Sequence, residues 1–194
     1  PVEPIDSDPD ADYAQVVKID LSALEPTVAF PHKPANTTPI SRLQDMIARS
    51  QREPTPDFCT VDDDTITDAF LGSCTNARYE DLVTGAAIMR GHQVHPEVNL
   101  IVIPASRKVY QRAMQEGLLQ VFIEAGANVE SSNCGPCFGS HMGVMSSKSK
   151  MISSSNRNYK GRMGSPEARI FLASPATVIA SAIEGRITDP RKYL

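Results

Sequence analysis

The sequence lacks the features that mark several common classes of protein. It carries 19 basic and 23 acidic side chains in 194 residues, so no excess of positive charge is available to bind a nucleic-acid backbone. No apolar run approaches the roughly 18–20 residues that a membrane-spanning helix needs, and the acidic first residues do not form a secretory signal peptide. Because apolar residues still make up 41% of the chain, a packed core is expected. The composition therefore predicts a soluble, cytoplasmic globular protein that binds neither nucleic acid nor membrane.

Cysteine is scarce and unevenly spaced. The four cysteines are Cys59, Cys74, Cys134 and Cys137, a pattern unlike the dense framework of a small disulfide-stapled domain. Cys74 lies in the run Gly-Ser-Cys-Thr-Asn, and the last two lie in the run Asn-Cys-Gly-Pro-Cys-Phe-Gly. Both runs follow a predicted strand and are rich in glycine and small polar residues. The backbone of such turns can approach a bound group closely.

The apolar pattern changes near residue 57. Nine of the fifteen prolines fall within residues 1–57, which we interpret as an irregular section packed on a domain formed by residues 58–194. Short apolar runs alternate with amphipathic stretches in that domain, which predicts an α/β fold with a parallel sheet and helices on both faces. The predicted strands cover residues 65–71, 98–104, 128–131 and 168–173. The predicted helices cover residues 41–51, 79–89, 107–115, 118–125 and 175–184.

Two helix starts carry recognisable signals. Thr75 or Asn76 is predicted to cap the helix over 79–89, whose first turn contains two carboxylates that suit the helix dipole. Ser174 followed by Pro175 predicts the start of the last helix, because proline is favoured at the first helical position. Functional sites of parallel α/β sheets gather at the carboxyl ends of the strands. We therefore expect the cysteine turns to lie at one edge of the sheet.

Three kinds of chemistry fit the sulfurs. A redox pair at Cys134 and Cys137 should open a helix, which the small residues after the pair disfavour, and it would leave Cys74 unexplained. A structural zinc ion would use Cys134 and Cys137 with His141 or Cys59, although zinc modules usually present two close ligand pairs. A [4Fe–4S] cluster held by Cys74, Cys134 and Cys137 would leave one iron with an open coordination position. Spacing alone leaves the three alternatives open.

The sequence motifs around the cysteines resemble those of a known protein family. Gly72–Asn76, Cys134–Cys137 and Ser155–Arg162 occur in the same order as in the aconitase superfamily, and Ala173–Ala176 extends the match. Within that superfamily the chain most resembles the large-subunit family of 3-isopropylmalate dehydratase and homoaconitase. The similarity runs from about residue 24 to the C-terminus and implies the fold of the family's third, cluster-bearing domain.

This resemblance implies a cofactor and its ligands. In the family the three matching cysteines hold a [4Fe–4S] cluster, which implies Cys74, Cys134 and Cys137 as ligands in this chain. His141, four positions after the last cysteine, is expected either to influence the bound substrate or to serve only in packing.

The resemblance also implies a substrate class and its binding residues. The family's substrate-binding loop maps onto Asn156, Arg157 and Arg162, and guanidinium groups suit a di- or tricarboxylate because they bind carboxylates in a fixed orientation. The implied activity is that of a hydro-lyase acting on a 2-hydroxy acid such as isopropylmalate or homocitrate.

The resemblance covers only one piece of such an enzyme. The catalytic base and further acidic and histidine residues would come from upstream domains or from a small subunit that carries a swivelling domain. The isolated chain is therefore expected to bind cluster and substrate carboxylates without completing turnover. The alternative is a non-catalytic interaction module, zinc-binding or metal-free, that retains the fold.

The remaining candidates are given structural interpretations. Cys59 is expected to be a spare thiol, and residues 146–155 are expected to be flexible until a cofactor or partner orders them. The other polar groups are expected in exposed turns or loops: His32, His92, His95 and Asp62–Asp64.

Overall fold

Short apolar runs form the centre of a seven-stranded sheet in the computed structural model, which describes residues 3–194. The spatial order of the strands is β2-β1-β7-β6-β3-β4-β5. The five strands from β7 to β5 are parallel, whereas β1 is antiparallel to both β2 and β7. In chain order the strands are β1 (Thr27–Ala29), β2 (Thr37–Pro39), β3 (Asp68–Leu71), β4 (Asn99–Val102), β5 (Asn128–Val129), β6 (Lys150–Ser153) and β7 (Arg169–Leu172).

Five α-helices accompany the sheet, and three of them have the bounds that the sequence pattern predicts. In chain order they are α1 (Leu43–Arg52), α2 (Tyr79–Met89), α3 (Arg107–Gln115), α4 (Leu118–Glu124) and α5 (Pro175–Glu184). The predicted α/β class and the mostly parallel sheet are confirmed. Ser174 caps α5, because its side chain accepts a hydrogen bond from the Thr177 amide.

The two faces of the sheet are covered differently. Side chains alternate along β3, so Ala69 and Leu71 face one core while Phe70 faces the other. Buried residues of all five helices join the core that contains Leu71. The core that contains Phe70 is covered by segments outside the α-helices, with Met145 and Met163 as buried members. Helices therefore pack on one face of the sheet, where the sequence pattern led us to expect them on both.

The predicted cap of α2 is wrong. The residue before the helix is Arg78, and the Asp81 carboxylate accepts a hydrogen bond from the Arg78 amide at 3.0 Å. Thr75 and Asn76 use their side chains elsewhere, on the segment that follows β6. That segment is far along the chain, so a local pattern could not reveal the competition.

Two other sequence interpretations are corrected by the sheet. Residues 150–153, expected to be flexible, form β6 between β3 and β7, and Met151 and Ile152 are fully buried there. His32, expected in a surface loop, is only 6% exposed; it follows β1, which lies between β2 and β7 in the sheet.

Residues 1–57 contain more order than their prolines suggest. β1 and β2 extend the sheet, and α1 contributes Leu43 and Ile47 to the core. Residues 3–26 contain no strand or α-helix, and the apolar side chains of Val16, Val17 and Ile19 are largely exposed. No helix within residues 3–194 combines the length and apolar character needed to cross a membrane.

Candidate functional site

The predicted site residues lie on segments that leave the sheet at one edge. Cys74 follows the carboxyl end of β3, and Cys134 and Cys137 lie in the segment after β5. Asn156 belongs to the segment after β6. Because β3, β4, β5 and β6 are parallel, these segments all begin at the same edge.

The segments after β3 and β6 are hydrogen-bonded to each other. The Gly72 amide donates to Ser154 Oγ at 3.0 Å, and the Ser154 hydroxyl is 3.2 Å from the Gly72 carbonyl oxygen, to which it donates. The Asn76 side-chain amide donates to the Ser154 carbonyl oxygen. Ser154 is buried, so these bonds are shielded from water. They fix the backbone on both sides of Cys74.

The same contact continues to the predicted substrate loop. The Thr75 hydroxyl donates to Asn156 Oδ1 at 2.7 Å, and the Asn76 side-chain amide donates to the same oxygen at 3.2 Å. Cys74 is the immediate neighbour of Thr75. The structure therefore brings Asn156 beside the first cysteine loop.

The loop around Cys74 contains two unusual backbone conformations. Ser73 has φ of 110° and Ala77 has φ of 53°, a region that side chains with a Cβ atom rarely adopt. Such residues cost about 1–3 kcal/mol each and persist only where surrounding contacts enforce them. The hydrogen bonds of Ser154 and Asn76 are the contacts that hold this loop.

The other two cysteines lie on a single 3₁₀ turn. The turn covers Gly135–Phe138 and is preceded by Cys134, whose carbonyl oxygen accepts a hydrogen bond from the Cys137 amide at 3.1 Å. The Gly135 amide donates to the Asn133 side-chain oxygen at 2.6 Å. The next regular element after this turn is strand β6, whereas a redox pair would be expected at the start of an α-helix.

The two cysteine loops meet at one aromatic ring. A Cβ atom on Gly72 would lie 2.3 Å from Phe70 Cε2, and a Cβ atom on Gly135 would lie 3.6 Å from the same atom. Gly135 also has φ of 51° and leaves only 2.4 Å between such a Cβ and Ile103 Cδ1. The backbones that carry Cys74 and Cys134 thus approach the same edge of Phe70, and at Gly72 a side chain would collide with the ring.

The end of the second cysteine loop packs on the substrate loop. A Cβ atom on Gly139 would lie 2.5 Å from the Gly164 nitrogen and 2.9 Å from the Arg162 carbonyl oxygen. Gly139 is two residues after Cys137. The loop after β6 therefore contacts both cysteine loops, although the three segments are distant in the sequence.

The arginines of the substrate loop differ in exposure. Asn156 and Arg157 are exposed, whereas Arg162 is half-buried and its Nε is buried without a hydrogen-bond partner among residues 3–194. The Arg162 amide donates to the Tyr159 carbonyl oxygen at 2.9 Å. An unpaired buried donor is costly, so Arg162 is a group that a bound acceptor would satisfy.

Sequence reasoning missed the residue that anchors this loop. Asn158 is fully buried, and its side-chain amide donates to the carbonyl oxygens of Phe30 at 2.8 Å and Ile170 at 3.1 Å. It ties the loop to the chain beyond β1 and to β7. In the sequence, Asn158 lies between Arg157 and Arg162. This position suggests another substrate-binding side chain and gives no sign that the residue is buried.

The thiols are free and unequal. Cys74 and Cys134 are exposed, while Cys137 and Cys59 are half-buried. Burial raises the pKa of the Cys59 thiol, which suits the expectation of a spare thiol.

Within residues 3–194 no three His, Cys, Asp or Glu side chains converge to hold a metal ion. Neither a zinc site nor a closed cage for a cluster is therefore formed by these side chains as they stand. His141 is exposed, which argues against its packing role. The chemistry of the donor set nonetheless fits an iron–sulfur group, because all three donors are free thiols on two loops that pack on the same third loop.

Comparison with known proteins gives a consistent result. The family model of the aconitase family (aconitate hydratase) matches residues 2–185. The chain is 47% identical to the 3-isopropylmalate dehydratase large subunit 1 of Methanopyrus kandleri over 191 residues, and 46% identical to the large subunit of Halothermothrix orenii over 191 residues. Each match covers 98% of this chain and 41% of the relative, so the chain spans about two fifths of the relatives' length. The match over nearly all of its residues shows that this chain belongs to the aconitase family.

Proposed function

We propose that this chain is the cluster-bearing part of an aconitase-type hydro-lyase that acts on a 2-hydroxy di- or tricarboxylic acid such as isopropylmalate or homocitrate. The observation that carries the proposal is that the Asn156–Arg162 loop contacts both cysteine loops at one sheet edge, through Thr75 and Asn76 on one loop and Gly139 on the other. The names of the similar large subunits favour isopropylmalate within this class.

The cofactor in this proposal is a [4Fe–4S] cluster with Cys74, Cys134 and Cys137 as ligands. Cys74 and Cys134 are exposed, so iron can reach both sulfurs, and the ligand form of cysteine is the thiolate. When bound, a cluster with three thiolate ligands supplies an open iron position that acts as a Lewis acid. The cluster would be positioned in part by Cys74, whose loop is held by hydrogen bonds from Ser154 and Asn76 and packs on Phe70.

The substrate loop supplies orientation. Arg157 and Arg162 present planar guanidinium groups that bind a carboxylate through two parallel hydrogen bonds. The side-chain oxygen of Asn156 already accepts hydrogen bonds from Thr75 and Asn76. Its side-chain nitrogen is therefore the group that can donate to a substrate oxygen. A substrate held by these groups would lie next to the Cys74 loop.

The rest of the reaction belongs to the complete protein. The chain spans about two fifths of the length of its relatives, and we propose that upstream domains and a small subunit with a swivelling domain supply the catalytic base. A hydroxy-carboxylate substrate and a protein partner are therefore both part of the proposal. A cytoplasmic location stays a prediction from the sequence.

Metal analysis of the protein purified without oxygen tests the proposal. The expected result is about four irons and four acid-labile sulfides per chain, with the visible charge-transfer absorbance of an iron–sulfur cluster. Stoichiometric zinc without sulfide would instead support the interaction module. A chain that takes up neither metal under reconstitution would also contradict the proposal.

A further inference from the structure

A pocket next to the substrate loop is lined by residues other than Cys74, Cys134 and Cys137. It has a volume of about 300 Å³ and is lined by His32, Cys59, Lys160, Glu167 and Arg169, with Thr60 and Pro166 completing the wall. We call it the His32 pocket. None of its lining residues belongs to the cluster ligands or substrate-binding residues proposed above.

The topology separates this pocket from the carboxyl edge of the sheet. β1 is antiparallel to β7, with Ala29 opposite Leu172, so the chain after β1 runs towards the amino end of β7. His32 follows β1, and Arg169 is the first residue of β7. Lys160 reaches the pocket from the loop that Asn158 anchors between these two segments.

His32 is buried, and one nitrogen of its imidazole ring has no hydrogen-bond partner within residues 3–194. The side chain is 6% exposed, and its Nδ1 is buried with no hydrogen-bond partner among the described residues. Its backbone amide donates to the Asp57 carbonyl oxygen at 2.9 Å, which fixes the residue in place. A buried nitrogen without a partner costs about 1–3 kcal/mol, so a ligand that forms a hydrogen bond with Nδ1 would relieve this cost.

Two positively charged side chains, Lys160 and Arg169, line the pocket with His32, and carboxylates neutralise them only in part. The Arg169 Nε donates to the Thr60 carbonyl oxygen at 2.8 Å, and its guanidinium lies 3.5 Å from the exposed carboxylate of Asp62. Lys160 forms no ion pair within residues 3–194. Glu167 is the one carboxylate among the residues that line the pocket.

We propose that the His32 pocket binds a small tetrahedral oxyanion, either inorganic phosphate or the phosphate end of a metabolite. Its donors come from three separate segments: His32 after β1, Lys160 on the loop, and Arg169 on β7. Donors that converge from three directions suit a tetrahedral group better than a planar carboxylate, whose acceptor oxygens lie in one plane. The same cations disfavour a metal ion or an organic cation.

The charges around His32 give the binding a pH dependence. Burial lowers the pKa of His32. The positive charges of Lys160 and Arg169 lower this pKa further, whereas the negative charge of Asp57 raises it. A bound anion would offset the two cations and raise this pKa, so binding takes up a proton and strengthens as the pH falls. The titratable groups that face His32 are Lys160, Arg169, Asp57, Cys59 and Glu167.

Calorimetric titration of the metal-free chain with sulfate tests the proposal, because sulfate keeps its charge between pH 5.5 and 8. At constant ionic strength we expect saturable binding, about tenfold tighter at pH 5.5 than at pH 8, with proton uptake visible across buffers of different ionisation enthalpy. Lys160→Gln should weaken binding about tenfold or more, and the exposed Lys148→Gln should leave it unchanged. His32→Gln should abolish the pH dependence.

Competition identifies the source of the oxyanion and sets the limits of the proposal. Displacement of sulfate by inorganic phosphate but not by glycerol 3-phosphate indicates the free ion, and equal displacement by both indicates a phosphorylated metabolite. Stronger displacement by succinate than by either would overturn the tetrahedral assignment. No saturable binding, or equal binding by the Lys160→Gln and Lys148→Gln variants, would overturn the site. Since the assay uses metal-free protein, these failures leave the proposed cluster untouched.

Discussion

Ser154 and Gly72 are joined twice through one hydroxyl group. The Gly72 amide donates to Ser154 Oγ at 3.0 Å, and the hydroxyl donates to the Gly72 carbonyl oxygen at 3.2 Å. Eighty-two positions of sequence separate the two residues. The pair locks the ends of two neighbouring parallel strands and sets the direction of the chain just before Cys74.

Ser154→Ala is therefore expected to destabilise the protein. It leaves the buried amide and carbonyl of Gly72 without this partner, which costs about 1–3 kcal/mol. Urea unfolding of the metal-free chain measures the loss. Ser146→Ala, at an exposed serine in the turn before β6, is the matched control and should stay within about 0.5 kcal/mol of the parent. Equal stability of the two variants would contradict the role of Ser154.

Asn158 should tolerate a carboxylate worse than a methyl group. Asn158→Asp places acceptor oxygens against the carbonyl oxygens of Phe30 and Ile170 in a fully buried site, and we expect a loss of about 3 kcal/mol or more at pH 7.5. Burial raises the pKa of the introduced carboxyl in the folded state above its unfolded value. The variant should therefore be most stable below pH 4 and weaken as the pH rises through the folded pKa.

Urea unfolding at pH 4.5 and 7.5 measures this difference, with Asn158→Ala as the control. The control also loses both hydrogen bonds, but its deficit relative to the parent should not change between the two pH values. An aspartate variant whose deficit is likewise constant would show that its carboxyl is solvated, against the buried position in the structure.

Asp63 should link stability to acid. The ammonium group of Lys150 at 2.7 Å and the Thr65 hydroxyl lower the pKa of Asp63 to about 2. A depressed folded pKa gives stability that is present above about pH 4 and is lost as the pH falls towards 2. Because Asp63 is half-exposed, solvent screening limits this contribution to about 1 kcal/mol.

The measurement compares Asp63→Asn with the parent by urea unfolding from pH 7 to pH 2.5. The gap between them should close as the pH falls below 4. Asp12→Asn, at an exposed residue that forms no ion pair among residues 3–194, should match the parent throughout. A gap between Asp63→Asn and the parent that is as large at pH 2.5 as at pH 7 would count against the ion pair.

Arg162→Lys should damage activity far more than stability. Lysine keeps the charge but loses the planar fork, and removal of one such transition-state contact costs about 3–4 kcal/mol, or about 100-fold or more in kcat/KM. In the complete protein, kcat/KM for the hydroxy acid measures the effect alongside the melting temperature. Arg52→Lys at the exposed end of α1 should change neither. Parallel losses of activity and stability in Arg162→Lys would favour a structural role.

Local signals in the sequence predicted much of the fold. The bounds of α2 and α5 follow from apolar spacing, and the Ser174 cap with Pro175 marks the start of α5. The central strands β3 and β4 are short apolar runs buried along most of their length. In each case the side chains of the segment itself carry the information.

Contacts between distant segments decided the rest. β6 contains only two apolar residues, between one lysine and one serine, and its place in the sheet comes from pairing with β3 and β7. The pattern around His32 is that of a turn, yet the residue is buried next to β1, which pairs with both β2 and β7. Thr75 and Asn76 resemble helix caps but bind Asn156, so the site itself overrides the local preference.

The iron content of four cysteine variants after anaerobic reconstitution tests the central claim most directly. Cys59→Ala is the matched control, since Cys59 lies in the His32 pocket and not on the loops at the carboxyl edge. It should keep about four irons per chain, whereas Cys74→Ala, Cys134→Ala and Cys137→Ala should each lose most of their iron while their metal-free forms remain folded by circular dichroism. Equal iron in all four folded variants, or loss in Cys59→Ala alone, would contradict the assignment of the three thiolates.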